Sequence, residues 1–533
     1  MANVIADFDT VLPQVYPSSL ELLPEVPEVP EPGEPPATDP FTDSREAFEG
    51  LIGLMGGEEA AAMEHGELEQ RVQDDGREIL RVVLANHLAL RAGREQRLEA
   101  VEASNATIRR RAERGHCRKL STLLGTVEVP RIAYRGPGEC NLHPADGHLN
   151  LPRGRYSHGL TKLAAIEATR GSYDDAAKAI ERSSAQLIGK RQLEELAYGA
   201  ARDFEDFYAT RRHQWTQTTD LLVLSVDGKG IVMRPEALRE PTRRKARSCK
   251  LGTRLSRGEK RNRKRICEVG AVYDAVAVPR TPADIVAADQ AEREAAPKGP
   301  KAKRKWLTAS VSREAAEVIA DVFKEADRRD PAHERTWVAL VDGNAHQIQR
   351  IESEARSRGV AITVVIDFVH VMEYVWSAAW SFHDEGDPEA EQWVGAQLRA
   401  ILAGKARTVA ASIRRAATKA GLAEGKRAGA DRCASYLTNK APYLDYAEAL
   451  RKGWPIATGV IEGACRHLVK DRMDLTGARW GLERAEAILK LRAIVSNGDF
   501  EEYWRFHLAG ERRRVHESRF AGGVIPGAPG RAG

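Results

Sequence analysis

Nowhere in the 533 residues do about 18 apolar side chains follow one another without interruption, which speaks against a membrane-spanning helix. The first residues hold no basic segment followed by an apolar run, which argues against a secretory signal. Cysteine is sparse. Cys117, Cys140, Cys249, Cys267, Cys433 and Cys465 stand far apart, and none forms a CxxC pair. That spacing suits reduced thiols in the cytoplasm better than a disulfide framework or a zinc knuckle. Clusters of His, Cys and acids at zinc-ligand spacing are also missing.

What is present is a hydrophobic fraction of 42% with 30% charged residues, the balance of a soluble protein. A chain of this length exceeds one compact core, so roughly two to four structural units are expected. The net charge of +4 hides an uneven distribution. The first 65 residues are acidic, whereas 243–265 holds twelve Lys or Arg against one acid, Glu259. A segment of that kind attracts polyanions, nucleic acid above all.

The run PEVPEVPEPGEPPATDP cannot enter a helix interior or a central strand, so 1–65 is expected as a disordered acidic leader. Apolar residues from Leu68 to Leu90 recur at helical spacing and predict a helix from about residue 67 to about residue 103. KLSTLLGTVEVPRIAYR reads as a β-hairpin about Gly125. Three helices follow, over 160–169, 173–181 and 185–198. Ser172 and Asp175 form a capping box at the second, and Ser183 and Ser184 make the next turn. Helix, turn, helix is the outline of a DNA-reading unit that would offer Gln186, Lys190, Arg191 and Gln192 to a groove. Residues 66–215 are thus a helical N-terminal region.

From residue 219 the pattern becomes that of buried strands. Strands are expected over 221–226, 266–278, 306–311, 337–341 and 361–366, with helices over 314–327 and 346–358 between the last three. Three early strands and then alternating helix and strand make a mixed α/β sheet, the order of a ribonuclease-H-like core over 216–370. Residues 371–455 read as an all-helical insertion, 456–510 as the last catalytic helices and 511–533 as a loose tail.

Two segments share one design. LLVLSVDGKG ends a strand at Asp227 and WVALVDGNAHQ ends one at Asp342, each acid followed by Gly. Acids on adjacent strand ends can converge on a divalent cation. Asp367 also ends a strand and rivals Asp342. A later acid, Glu462 in TGVIEGACRHLVKDR, opens a helix on which Arg466 and Lys470 follow at four-residue steps. Phosphodiester cleavage needs a nucleophile activated and a leaving oxygen stabilised, and two Mg2+ (or Mn2+) ions held by carboxylates do both.

The segments LLVLSVDGKGIVMRPEALR, WVALVDGNAHQIQRIE, VVIDFVHVMEYVW and GWPIATGVIEGACRHLVKDRMDLTGARWGLERAEAILKLRA resemble the bacterial insertion-sequence transposases of the ISKra type, over residues 70 to 519. That resemblance implies a DDE transposase with a ribonuclease-H-like catalytic domain, and Asp227, Asp342 and Glu462 as its metal-binding triad. Asp367-Phe368-Val369-His370 matches the Cys-or-Asp, two residues, His motif of the related Mutator-like transposases, which gives Asp367 and His370 an accessory role near the site. The implied partner is double-stranded DNA, at element ends and target, bound by a homodimer or larger assembly on the bacterial nucleoid. DNA phosphates are expected on Arg243, Arg244, Lys245, Arg247, Lys250, Arg254, Arg261, Arg263, Lys264, Arg265, Arg466 and Lys470. The rival activities are a nuclease that cuts without joining and a non-catalytic DNA-binding regulator.

Overall fold

In the computed structural model, residues 39–211, 218–247, 263–287, 290–475 and 477–527 are described. LLVLSV, apolar but for one serine, is buried along its whole length, as a central strand covered on both faces requires. This strand, β1 (Leu221–Val232), lies in the middle of a five-stranded sheet. Its neighbours are β2 (Lys264–Ala275), β3 (Ala302–Ser310), β4 (Trp337–Val341) and β5 (Ile362–Ile366), in the order β3-β2-β1-β4-β5. β1 to β3 pair antiparallel, whereas β1, β4 and β5 run parallel. The chain is therefore mixed α/β.

β1 departs from the expected turn after Asp227. It continues through Asp-Gly-Lys-Gly because β2 pairs with it from Leu221↔Ala275 to Val232↔Lys264. Gly228 and Gly230 leave room there for the side chains of Ile266 and Lys264. Only the parallel pairing with β4 stops at Val226↔Val341.

Helix Ala315–Arg329 buries Val318, Ile319, Val322 and Phe323 on the sheet. It comes so close to β2 that a Cβ on Gly270 would lie 2.5 Å from Val322. Helix Ala345–Arg358 joins β4 to β5. After β5 come the helices Phe368–Ala379, Pro388–Leu402, Ala406–Lys419, Glu424–Asn439 and Tyr446–Arg451, so the expected helical block is present and starts three residues early. Helix Leu482–Ser496 is buried on most sides between β3 and helices His158–Arg170 and Lys190–Ala200.

Several boundaries are corrected. Residues 1–38 of the expected leader lie outside the described residues, but the remainder is helical: Thr42–Met55 and Glu58–Ala61. Ser44, Ala47, Leu51, Leu54 and Met55 are the sheltered positions of the first, a helical stripe packed on helix His65–Arg94. That long helix stops at Arg94, and 101–109 form a small antiparallel pair. The hairpin about Gly125 forms as expected and is longer, with strands Arg111–Thr122 and Gly125–Arg135. The Ser172–Asp175 capping box is present, but Ser183 and Ser184 stay in helix Tyr173–Ser184. The turn is made at Ala185, with φ of 51°, and the second helix begins at Lys190, leaving Gln186 outside it. The tail is not loose as far as residue 527: Phe520 and Ile525 are buried, and the His516 ring meets the Leu151 carbonyl at 2.7 Å. Among the described residues no helix is long and apolar enough to cross a membrane.

Candidate active site at the parallel strand ends

Val226 pairs with Val341, and Val341 with Ile366, so the next residues, Asp227, Asp342 and Asp367, stand at one level on three adjacent strands. Neighbouring strands are about 4.8 Å apart, which brings the three acids together at one sheet edge. The Asp367 N–H donates to the Val341 carbonyl at 2.8 Å, the last rung of that edge.

Their surroundings separate them. Asp227 is half-buried; Oδ1 accepts the Gly228 N–H at 2.6 Å and Oδ2 the Cys465 thiol at 3.3 Å. Asp342 is also half-buried, and its Oδ1 accepts the Asn344 N–H at 2.9 Å. Gly343 turns the chain there with φ of 94°, and a Cβ on it would meet the Tyr436 hydroxyl at 2.7 Å. That hydroxyl donates to the Asp342 carbonyl at 3.3 Å. Asp367 is fully enclosed. It caps helix Phe368–Ala379 through the Val369 N–H at 2.9 Å, and its other oxygen takes the Thr458 hydroxyl at 2.5 Å with the His370 ring at 3.3 Å.

Glu462 stands on helix Gly459–Ala464, which packs against β1 and β2. Its Oε1 lies 3.3 Å from the Thr458 hydroxyl. Donor atoms of Asp367, His370 and Glu462 all fall within 4.8 Å of one another. Glu462 thus meets Asp367 and His370 most closely, with Asp227 next to it through Cys465. Burial raises the Glu462 carboxyl above its ordinary pKa, and the charges of Asp367 and Asp227 add to this. The His370 ring is pushed up to about 9, chiefly by its hydrogen bond to Asp367.

The helix does not continue regularly after Ala464. Cys465–Lys470 form a π-turn, a feature frequent at functional sites. The wider turn loosens backbone pairing, and the Arg492 guanidinium donates to the carbonyls of His467 and Leu468. Arg466 follows π spacing: it lies 3.9 Å from Asp471, five residues on, and is largely exposed. Lys470 is exposed as well.

Four residues of this site were not among the expected ones: Thr458, Cys465, Tyr436 and Glu268. The first two were within reach, since they stand four before and three after Glu462 and share its helix face. Tyr436 arrives from a distant helix and left no local signal. Glu268 sits opposite Gly228 on β2, and burial, with the Asp227 charge, raises its carboxyl.

The basic segment 243–265 is not a separate insert at its ends. Arg243, Arg244, Lys245 and Arg247 belong to helix Glu240–Arg247, where Glu240 pairs with Arg243 and Arg244. Lys264 and Arg265 open β2. Arg265 is committed to the carbonyls of Val311, Ala237 and Ser312, whereas Lys264 reaches to 4.0 Å from Asp474. Arg263 is half-buried, and Lys250, Arg254 and Arg261 lie outside the described residues. No family model and no curated protein matches this sequence.

Proposed function

We propose that this chain is a DDE transposase that cleaves DNA at the ends of its element and joins the freed 3′-hydroxyl to target DNA. The observation that carries this reading is the level position of Asp227 and Asp342 on adjacent strands, each just past the last parallel pair Val226↔Val341, with the Glu462 helix tied to Asp227 by Cys465. The sheet order, antiparallel on one side of β1 and parallel on the other, supports a ribonuclease-H-like core with a helical insertion after β5. Helices Tyr173–Ser184 and Lys190–Ala200 would form the helix-turn-helix-like DNA-binding unit, with Arg191 and Gln192 exposed on the second.

The donor set suits a hard divalent cation. Asp227, Asp342 and Glu462 offer carboxylate oxygens at a solvent-reachable edge, and the Glu462 carboxyl is raised by burial first and by the charges of Asp367 and Asp227 after it, against the His370 ring, which lowers it. Asp367 suits it less, since it is sealed from solvent and both its oxygens are occupied. Asp227, Asp342 and Glu462 would therefore hold two Mg2+ or Mn2+ ions. When bound, these supply activation of the attacking water or 3′-hydroxyl and stabilisation of the leaving oxygen. Thr458 gives its one hydroxyl proton to Asp367 and lies 3.3 Å from Glu462, and the Cys465 thiol orients Asp227. Arg466, loosely paired with Asp471 at 3.9 Å, and the exposed Lys470 would meet phosphates beside the acids. A homodimer or larger assembly on paired ends, in the cytoplasm at the nucleoid, completes the proposal.

The test is incubation of the protein with Mg2+ and DNA carrying the repeats that flank its coding region. Joined products are expected. Cut ends alone would make it a nuclease, and DNA binding without cleavage a regulator.

A further inference from the structure

The helical block after β5 carries an unbalanced charge. Between 403 and 440 the sequence has nine Lys or Arg and two acids, Glu424 and Asp431. Asp431 is taken by Arg427 at 2.9 Å. Among the described residues no carboxylate pairs with Arg407, Arg415, Lys419, Lys426, Arg432 or Lys440. Around the sheet the opposite holds: Arg313, Arg329, Arg335 and Arg358 are all ion-paired. Unpaired cations this close together repel one another, a cost that a polyanion would remove.

Their placement gives the patch a direction. Helix Ala406–Lys419 turns Ala406, Val409, Ala410, Ile413 and Ala417 inward, which leaves Arg407, Arg415 and Lys419 exposed. It lies beside helix Glu424–Asn439, and Arg414 bridges the two to the Ser435 hydroxyl at 3.1 Å. The second helix ends at the candidate site, where the Tyr436 hydroxyl meets the Asp342 carbonyl at 3.3 Å. Arg432 stands one turn before Tyr436 and Lys440 one turn after it, on the same flank. A helix of 16 residues is about 24 Å long, a span over which duplex DNA presents about fourteen phosphate charges.

We propose that the outer face of helices Ala406–Lys419 and Glu424–Asn439 is a track for the phosphate backbone of duplex DNA, leading to the Asp342 side of the site. The inference rests on the DNA chemistry proposed above and adds where the flanking duplex lies. Phosphate contacts position a duplex without reading its sequence, so the contact proposed here is independent of sequence.

The experiment measures binding of the full-length protein to a duplex of about 40 base pairs of arbitrary sequence across a salt series. In the Arg407→Gln/Arg415→Gln/Lys419→Gln variant the salt slope should fall by about 2.7, some 0.9 for each lost phosphate contact, and affinity by about tenfold. Arg407→Lys/Arg415→Lys should keep both near wild type. Should the triple variant fail to fold, Arg415→Gln alone should lower the slope by about 0.9. An unchanged slope overturns the proposal, as does stronger competition by polyglutamate or single-stranded RNA than by duplex DNA. A wild-type protein that binds through this face but never cuts would keep the track and remove the catalytic reading. Wild-type cutting and joining with unaltered binding by the variant would do the reverse.

Discussion

The Cys465 thiol donates to Oδ2 of Asp227 across 3.3 Å, although 238 positions separate the two in sequence. Burial first, and the charge of Asp227 second, push this thiol far above its ordinary pKa, so it stays protonated and remains a donor. The contact joins the helix bearing the third acid to the strand bearing the first.

Cys465→Ser keeps a donor at this place and should retain most cleavage activity. Cys465→Val keeps the bulk but leaves Asp227 without that donor, and its cleavage rate should fall roughly tenfold or more. Steady-state cleavage with Mg2+ decides this. Equal rates for the Val variant and wild type would show that the thiol does not position Asp227.

His370 should hold a proton at neutral pH. Its hydrogen bond to Asp367 lifts the ring to about 9, against burial, which lowers it. The sign follows from a folded pKa above the unfolded one: the stabilisation is fully present below about 6.5 and is lost as pH rises through about 9. Proton NMR of the His370 ring should show titration near 9. Titration near 6.5 would mean that the Asp367 pair is absent.

Asp274 is buried in β2 and accepts from Arg335 at 2.5 Å, Arg304 at 2.7 Å and Arg329 at 3.3 Å. Asp274→Ala would leave Arg329 and Arg335 enclosed without their shared anion. Removing one partner of such a group costs about 3–5 kcal/mol. Urea denaturation should show that loss, and Asp274→Asn a smaller one. A loss below about 1 kcal/mol for the Ala variant would contradict the assignment.

Gly429 lies where helix Glu424–Asn439 crosses helix Phe368–Ala379, and a Cβ there would fall 2.1 Å from the Ser377 carbonyl oxygen. Backbone cannot yield as a flexible side chain does. Gly429→Ala should cost about 1–3 kcal/mol by thermal or chemical denaturation. An unchanged midpoint would mean that the helices separate freely.

β4 and β5 were legible because they are short apolar runs, 337–341 located to the residue and 361–366 to within one. β2 and β3 begin two and four residues before the expected 266 and 306, in stretches that are mostly charged. Asp-Gly misled in one case of two. After Asp342 it makes the turn, whereas after Asp227 the antiparallel partner β2 carries the strand onward. Pairing partners are a tertiary property that local sequence does not carry. Asp342 and Asp367 follow the last residues of their strands and were legible for the same reason as β4 and β5, whereas Asp227 lies inside β1. The enclosure of Asp367 was not legible, because Thr458 reaches it from 91 residues away. The π-turn also escaped, since four-residue steps from Glu462 to Lys470 assume a regular helix that Arg492 allows to widen. The helix Thr42–Met55 was missed because the proline-rich run before it set the reading of the whole of 1–65.

The central claim is that Asp342, and not Asp367, acts with Asp227 and Glu462. Mg2+-dependent cleavage of element-end DNA by Asp342→Asn and Asp367→Asn, each with its DNA affinity and melting temperature measured in parallel, tests it most directly. Asp342→Asn should fold, bind DNA as wild type does and lose cleavage by about a thousandfold or more. Asp367→Asn should lose stability and retain residual cleavage. Wild-type cleavage by Asp342→Asn, or a stable and DNA-binding Asp367→Asn with none, would contradict the account.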